Sequence, residues 1–143
     1  MGCAEMIRAL VHITAAMVLA GAALAEGFTP KLVPISVPSG QDIRWQETVS
    51  DAQGSAGRTI RFRFVAPAIA DATKVDAEVA LDDMLALCDT FAVPRIPNVG
   101  PQPEQIVISL ADRDIPFGEA NPDAVQYFEA YSIVDGHCQW EFF

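Results

Sequence analysis

Between residues 42 and 142 the chain falls into short stretches with two different periods. Residues 42–49 alternate, with Ile43, Trp45, Glu47 and Val49 on one side. That is the period of a strand with two unlike faces. Residues 59–65 alternate more cleanly: Ile60, Phe62 and Phe64 face one way, Arg61 and Arg63 the other. The Gly/Ser/Asp-rich stretch 50–57 reads as the hairpin loop between them, and Pro67 ends the second strand. The period then becomes helical. Over 73–91, Ala77, Leu81, Met84, Leu85, Cys88 and Phe91 form an apolar stripe, with Thr73 in capping position and Asp76 three residues on. Pro94, Pro97, Pro101 and Pro103 mark a loop. Strands follow at 105–110, 125–134 and 137–142, and Asp135-Gly136 joins the last two with a type I′ hairpin signal. The order β-β-α-β-β-β predicts an α+β fold, a small antiparallel sheet of about five strands with one helix on one face.

The 143 residues, 51% of them hydrophobic, allow one folded domain, placed here at 41–143. Residues 26–40 precede it with Pro30, Pro34 and Pro38. Proline removes ladder donors, so this is an extended arm or edge strand, and Pro38-Ser39-Gly40 is a turn signal. Before the arm, Arg8 leads into an uncharged run, Ala9 to Ala25, that ends Ala23-Leu24-Ala25 ahead of Glu26. A basic start, an apolar stretch and an A-x-A site are the parts of a secretory signal, so cleavage is expected after Ala25. Met6-Ile7-Arg8 makes a better start than a segment carrying Glu5, which points to initiation at Met6. The competing reading is an uncleaved anchor, but a span needs about 20 strongly apolar residues, and this run contains His12 and Thr14. The expected product is periplasmic, without stable membrane insertion.

Export changes the reading of the cysteines. Cleavage leaves Cys88 and Cys138, and two cysteines in an oxidising compartment are most simply a disulfide. Cys88 lies on the inward helix stripe, and Cys138 shares a strand face with Trp140 and Phe142. Two buried free thiols are the alternative.

The charge is −10, from 9 Lys+Arg against 19 Asp+Glu. That field repels a phosphate backbone and argues against nucleic acid as a partner. Arg61 and Arg63 read either as an anion clamp or as a solvated face paired with Glu129 or Glu141. The loop 112–123 gathers hard oxygens in Asp112, Asp114, Glu119 and Asp123, with Arg113 among them. Calcium wants six to eight such ligands, but the EF-hand spacing is absent, so no metal or other cofactor is expected. Asp82, Asp83 and Asp89 make the outer helix face acidic, which reads first as a solvated face and second as a patch for a basic partner. His137 is the one histidine after residue 25. It could serve a hydrolase beside Ser109 or Ser132, although no G-x-S-x-G elbow is present. The candidate binding residues are Arg61, Arg63, Asp112, Arg113, Glu119 and Trp45, since arginine and exposed aromatic side chains dominate binding surfaces.

The series Arg61-Phe62-Arg63-Phe64-Val65-Ala66-Pro67, Cys88, Val107-Ile108-Ser109-Leu110, Pro116-Phe117-Gly118-Glu119 and Asp135-Gly136 … Cys138 … Trp140-Glu141 resembles a family of short exported alphaproteobacterial proteins, a domain of unknown function. The resemblance covers about residues 35–143. It implies a periplasmic setting and carries over no activity, ligand or catalytic residue. A non-enzymatic interaction or accessory protein with a periplasmic protein partner is the expected role. A small-ligand or metal-binding protein is the second reading, and a small hydrolase the third.

Overall fold

The alternating stretches form strands and the helical stripe forms a helix in a computed structural model that describes residues 34–54 and 57–142. The expected signal segment, the start at Met6 and arm residues 26–33 lie outside the described residues. Five strands, β1 (Arg44–Gly54), β2 (Gly57–Val65), β3 (Gln105–Ala111), β4 (Gln126–Val134) and β5 (His137–Trp140), form one sheet in that order. Between β2 and β3 the helix α1 (Ala77–Leu87) runs into a π-helical turn, Cys88–Ala92, and a 3₁₀ turn, Val93–Arg95. The helix lies over β3 and β4. Phe62, Phe64, Ile106, Ile108, Leu110 and Tyr131 meet Ala80, Met84, Leu87 and Cys88 in the core between sheet and helix. This is the α+β architecture that the periods predict.

One pairing departs from the fully antiparallel expectation. β1–β2, β3–β4 and β4–β5 are antiparallel, but β2 and β3 run parallel, from Thr59 opposite Gln105 to Val65 opposite Ala111. The segment 66–104 carries the helix across one face and returns the chain alongside β2. A crossover of that length permits parallel pairing, whereas a short turn does not.

β1 also runs through the predicted loop, to Gly54 opposite Gly57, with register shifts at Trp45/Glu47 and Val49/Ala52. Gly57 has φ +107, and the Glu104 carboxylate occupies the place a β-carbon would take. The first register shift matters more. Trp45 pairs with Phe64 on the helix side, whereas Glu47 pairs with Arg63. A bulge moves the following residues to the other face, so Trp45 and Glu47 do not share a side as the alternation predicts.

The helix starts later than predicted. Asp76 is its N-cap and accepts from the Val79 N–H at 3.0 Å. Thr73 instead closes a turn, its N–H and hydroxyl both donating to Asp71 Oδ1. The buried face is also turned. Ala80, Asp83, Met84 and Leu87 point inward, while Ala77, Leu81 and Leu85 face solvent. Asp83, expected on an acidic outer face, is fully buried. It accepts from the Ser39 N–H at 2.9 Å, the Ser39 hydroxyl at 2.5 Å and Gln41 Nε2 at 2.6 Å. The Pro38-Ser39-Gly40 turn, closed from the Gly40 N–H to the Val37 carbonyl and with φ +72 at Gly40, presents these donors. Such donors make burial of a carboxylate tolerable. Asp89 also turns inward, accepting from the Cys138 N–H at 2.7 Å, so Asp82 alone of the three stays exposed.

Cys88 and Cys138 are bonded, with their Cα atoms 6.1 Å apart. Trp140 and Phe142, expected to follow Cys138 into the core, are exposed, Phe142 to 83%. β5 is the edge strand beside β4, and the helix lies over β3 and β4 rather than over it. The disulfide closes a separation of 50 residues, worth about 4 kcal/mol in the chain-entropy account. Replacing both cysteines by serine is expected to lower the unfolding free energy by about 2–5 kcal/mol in urea titration. A change below about 1 kcal/mol would show that the cross-link does not constrain the unfolded chain.

Candidate functional site

Two surfaces collect the residues that carry chemistry. The first is the sheet face opposite the helix. Arg63 is only 8% exposed, not on a solvated stripe. Its guanidinium pairs with Glu47 through Nη1 and donates to the Ile115 carbonyl through Nη2 at 2.7 Å. The expected partners are engaged elsewhere: Glu129 accepts from Trp140 Nε1, and Glu141 from Gln105 Nε2. Gln46 Nε2 also donates to the Ile115 carbonyl, at 3.0 Å. The loop 112–123 is thereby tied down across Arg63, and Phe117 lies 6.0 Å from Arg61 Cζ and 5.5 Å from Arg63 Cζ. Arg61 is half-buried, and its Nε–H has no acceptor. Burial and the neighbouring Arg63 charge hold its pKa below the ordinary arginine value.

Two acids of this loop, Asp112 and Asp114, are taken up by arginines. Asp112, its side chain buried, is gripped by Arg113 through Nε at 2.8 Å and Nη2 at 3.0 Å, and Arg113 Nη2 reaches on to the Asp123 carbonyl. Asp114 pairs with Arg44. Glu119 is exposed at a turn closed by its N–H on the Pro116 carbonyl. Among the described residues no three His, Cys, Asp or Glu side chains converge to hold a metal ion. His137 is 80% exposed, lies 3.9 Å from Asp89 Oδ1, and has no hydrogen bond to Ser109 or Ser132 among the described residues.

The second surface is on the helix side, at the β1 edge. Trp45 is 48% exposed. Its indole N–H donates to the Thr48 hydroxyl at 3.2 Å, and its ring centroid lies 6.4 Å from that of Phe91. Phe91 in turn meets Phe62 and Phe64 edge-on. Arg95 stacks 3.5 Å over the Phe91 ring and donates to the Phe91 carbonyl. With Pro34, Ile35 and Ile43 these rings line a cleft of about 570 Å³, with Asp42 and Arg44 at its rim. Of the six candidate residues, the structure brings Arg61 and Arg63 together, joins Asp112 to Arg113, and leaves Trp45 on the other side of the sheet. Phe91, Arg95, Glu47 and Phe117 escape the sequence reading as site residues. The Phe91/Arg95 stack has a legible signal, since the two are four apart in a helical segment.

The family model for a family of unknown function (DUF6497) matches residues 13–143. No curated protein and no solved structure matches the chain.

The Asp112–Arg113 pair predicts an acid-sensitive loop. The Arg113 hydrogen bonds outweigh desolvation and hold the Asp112 carboxyl below its ordinary range. A depressed folded-state pKa adds stability above the unfolded value, about 3.9, and that stability is lost as pH falls through the folded value. Asp112→Asn is expected to be less stable than the parent at neutral pH and to flatten the loss of stability below about pH 4. Urea titrations across pH measure this; an unchanged acid limb would refute it.

Proposed function

The chain belongs to DUF6497, a family of unknown function, and from its surface chemistry we propose that it is an exported, non-enzymatic interaction domain. It holds a partner protein in the cleft between Trp45 and Phe91. The half-exposed Trp45 carries this reading. Isolated apolar residues on a surface are ordinary, but a large aromatic side chain lining an apolar cleft is the usual anchor of a binding surface. Arg95 supplies a cation beside the rings, so the partner segment that fits is an apolar or aromatic side chain next to a carboxylate. The signal-like segment ending at Ala25 and the disulfide support a periplasmic setting.

Trp45→Ala is expected to weaken partner binding by about 30-fold, the effect of losing a hot-spot side chain. Trp140→Ala should leave it unchanged. Cross-linked capture from periplasm with the three proteins, followed by titration of the captured partner, reads this. A partner held equally by the Trp45→Ala protein rules the cleft out. N-terminal sequencing of the same periplasmic protein is expected to begin at Glu26. A full-length chain retained in the membrane fraction would remove the periplasmic reading.

A further inference from the structure

We propose that Arg61 and Arg63, beneath the Phe117 ring, bind a carboxylate-bearing small ligand on the helix-free face of the sheet. The observations are of charge and of hydrogen-bonding capacity. Two guanidinium groups lie within 6.0 Å of one aromatic ring. Glu47 neutralises Arg63. No carboxylate pairs with Arg61 among the described residues. Among the described side chains the local balance is one uncompensated positive charge, inside a chain whose total charge is −10. A single carboxylate cancels it. A polyanion would meet the surrounding negative field.

Arg61 also lacks acceptors where it sits. Its cross-strand neighbours are Val49 on β1 and Val107 on β3, whose side chains accept no hydrogen bond. Its Nε–H is buried and unpartnered. A guanidinium presents Nε–H and an Nη–H as a side-on fork that matches the two oxygens of a carboxylate. Arg63 cannot play that part, since its Nη groups are already held by Glu47 and the Ile115 carbonyl. Arg63 therefore supplies field and position, and Arg61 supplies the fork.

Phe117 gives the ligand its second requirement. It stands in the loop anchored through the Ile115 carbonyl, is followed by Gly118 at φ +83, and remains exposed. The ring caps the two cations and offers an apolar surface to the body of the ligand. An aromatic or aliphatic carboxylate therefore fits better than a bare inorganic anion. Burial first, and the Arg63 charge second, lower the pKa of Arg61. The site is on the opposite side of the sheet from Trp45 and stands independently of the cleft.

The test uses benzoate as probe and uncharged benzamide as control, at constant ionic strength, on the purified protein. Arginine Nε–H resonances are followed by NMR, with thermal unfolding alongside. Benzoate is expected to shift the Arg61 Nε–H signal saturably and to raise the unfolding midpoint, while benzamide does neither. Arg61→Gln should weaken binding at least about tenfold. Arg61→Lys keeps the charge, removes the fork and should weaken binding similarly, so it decides the matter if the glutamine variant does not fold. Trp45→Ala should bind benzoate as the parent does. No saturable response in the parent, an equal response to benzamide, a response that survives both Arg61 changes, or one lost in Trp45→Ala would each overturn the proposal.

Discussion

A single helix has to cover five strands, and that mismatch of widths shapes the rest of the molecule. An α-helix with its side chains is about 10 Å across. Five strands at about 4.8 Å spacing extend over roughly 19 Å. Set over β3 and β4, α1 protects the middle of the sheet and leaves a flank on each side. On the β1 flank the segment 34–43 and the Phe91–Arg95 turn partly close the gap and leave the Trp45 cleft. On the β5 flank Leu81 and Leu85 of the helix stand open beside Trp140. Two links fix the helix in that place: Asp83 to the 38–41 turn and Cys88 to β5. Neither is a generic apolar contact. Each joins one helix-end or helix side chain to specific atoms of another segment, so the helix has little freedom to slide toward either flank.

The elements were legible in the sequence because alternation and helical spacing are local signals. Phe62 and Phe64 point into the core as their spacing requires, and the two cysteines meet as their faces suggest. What the sequence hid was set by partners far along the chain. The direction of β3 against β2 leaves no mark on either strand's own period. The rotation of α1 follows from donors at Ser39 and Gln41, more than forty positions away. An aspartate on a helix looks solvated until those donors are known. The bulge after Trp45 interrupts an apparently regular alternation and sends Glu47 to the face where Arg63 waits.

The surface chemistry was legible by residue type and not by arrangement. Trp45, Arg61 and Arg63 were visible as candidates, but nothing in an alternating strand says that a loop fifty residues later will lie across Arg63. Asp112 and Asp114 looked like members of a ligand set because their arginine partners, Arg113 and distant Arg44, are not evident from the loop's own run of acids. A list of acids in one loop says little until the cations that reach it are placed.

The parallel joint between β2 and β3 has a kinetic consequence. It divides the sheet into two locally connected pieces, the β1–β2 hairpin and the β3–β4–β5 meander, whose strands follow one another along the chain. Closing the joint requires the ends of the segment 66–104 to meet, and chain entropy makes such long-range closure the slow step of folding. The cross-link lies within this path. Cys88 is part of the crossing segment and Cys138 part of the meander. Once they are joined, the stretch from 66 to 88 tethers the hairpin to the meander in place of the full crossing. Oxidation thus shortens the search by which the two pieces find each other, and a chain oxidised early reaches the joined sheet by a shorter loop than a reduced one.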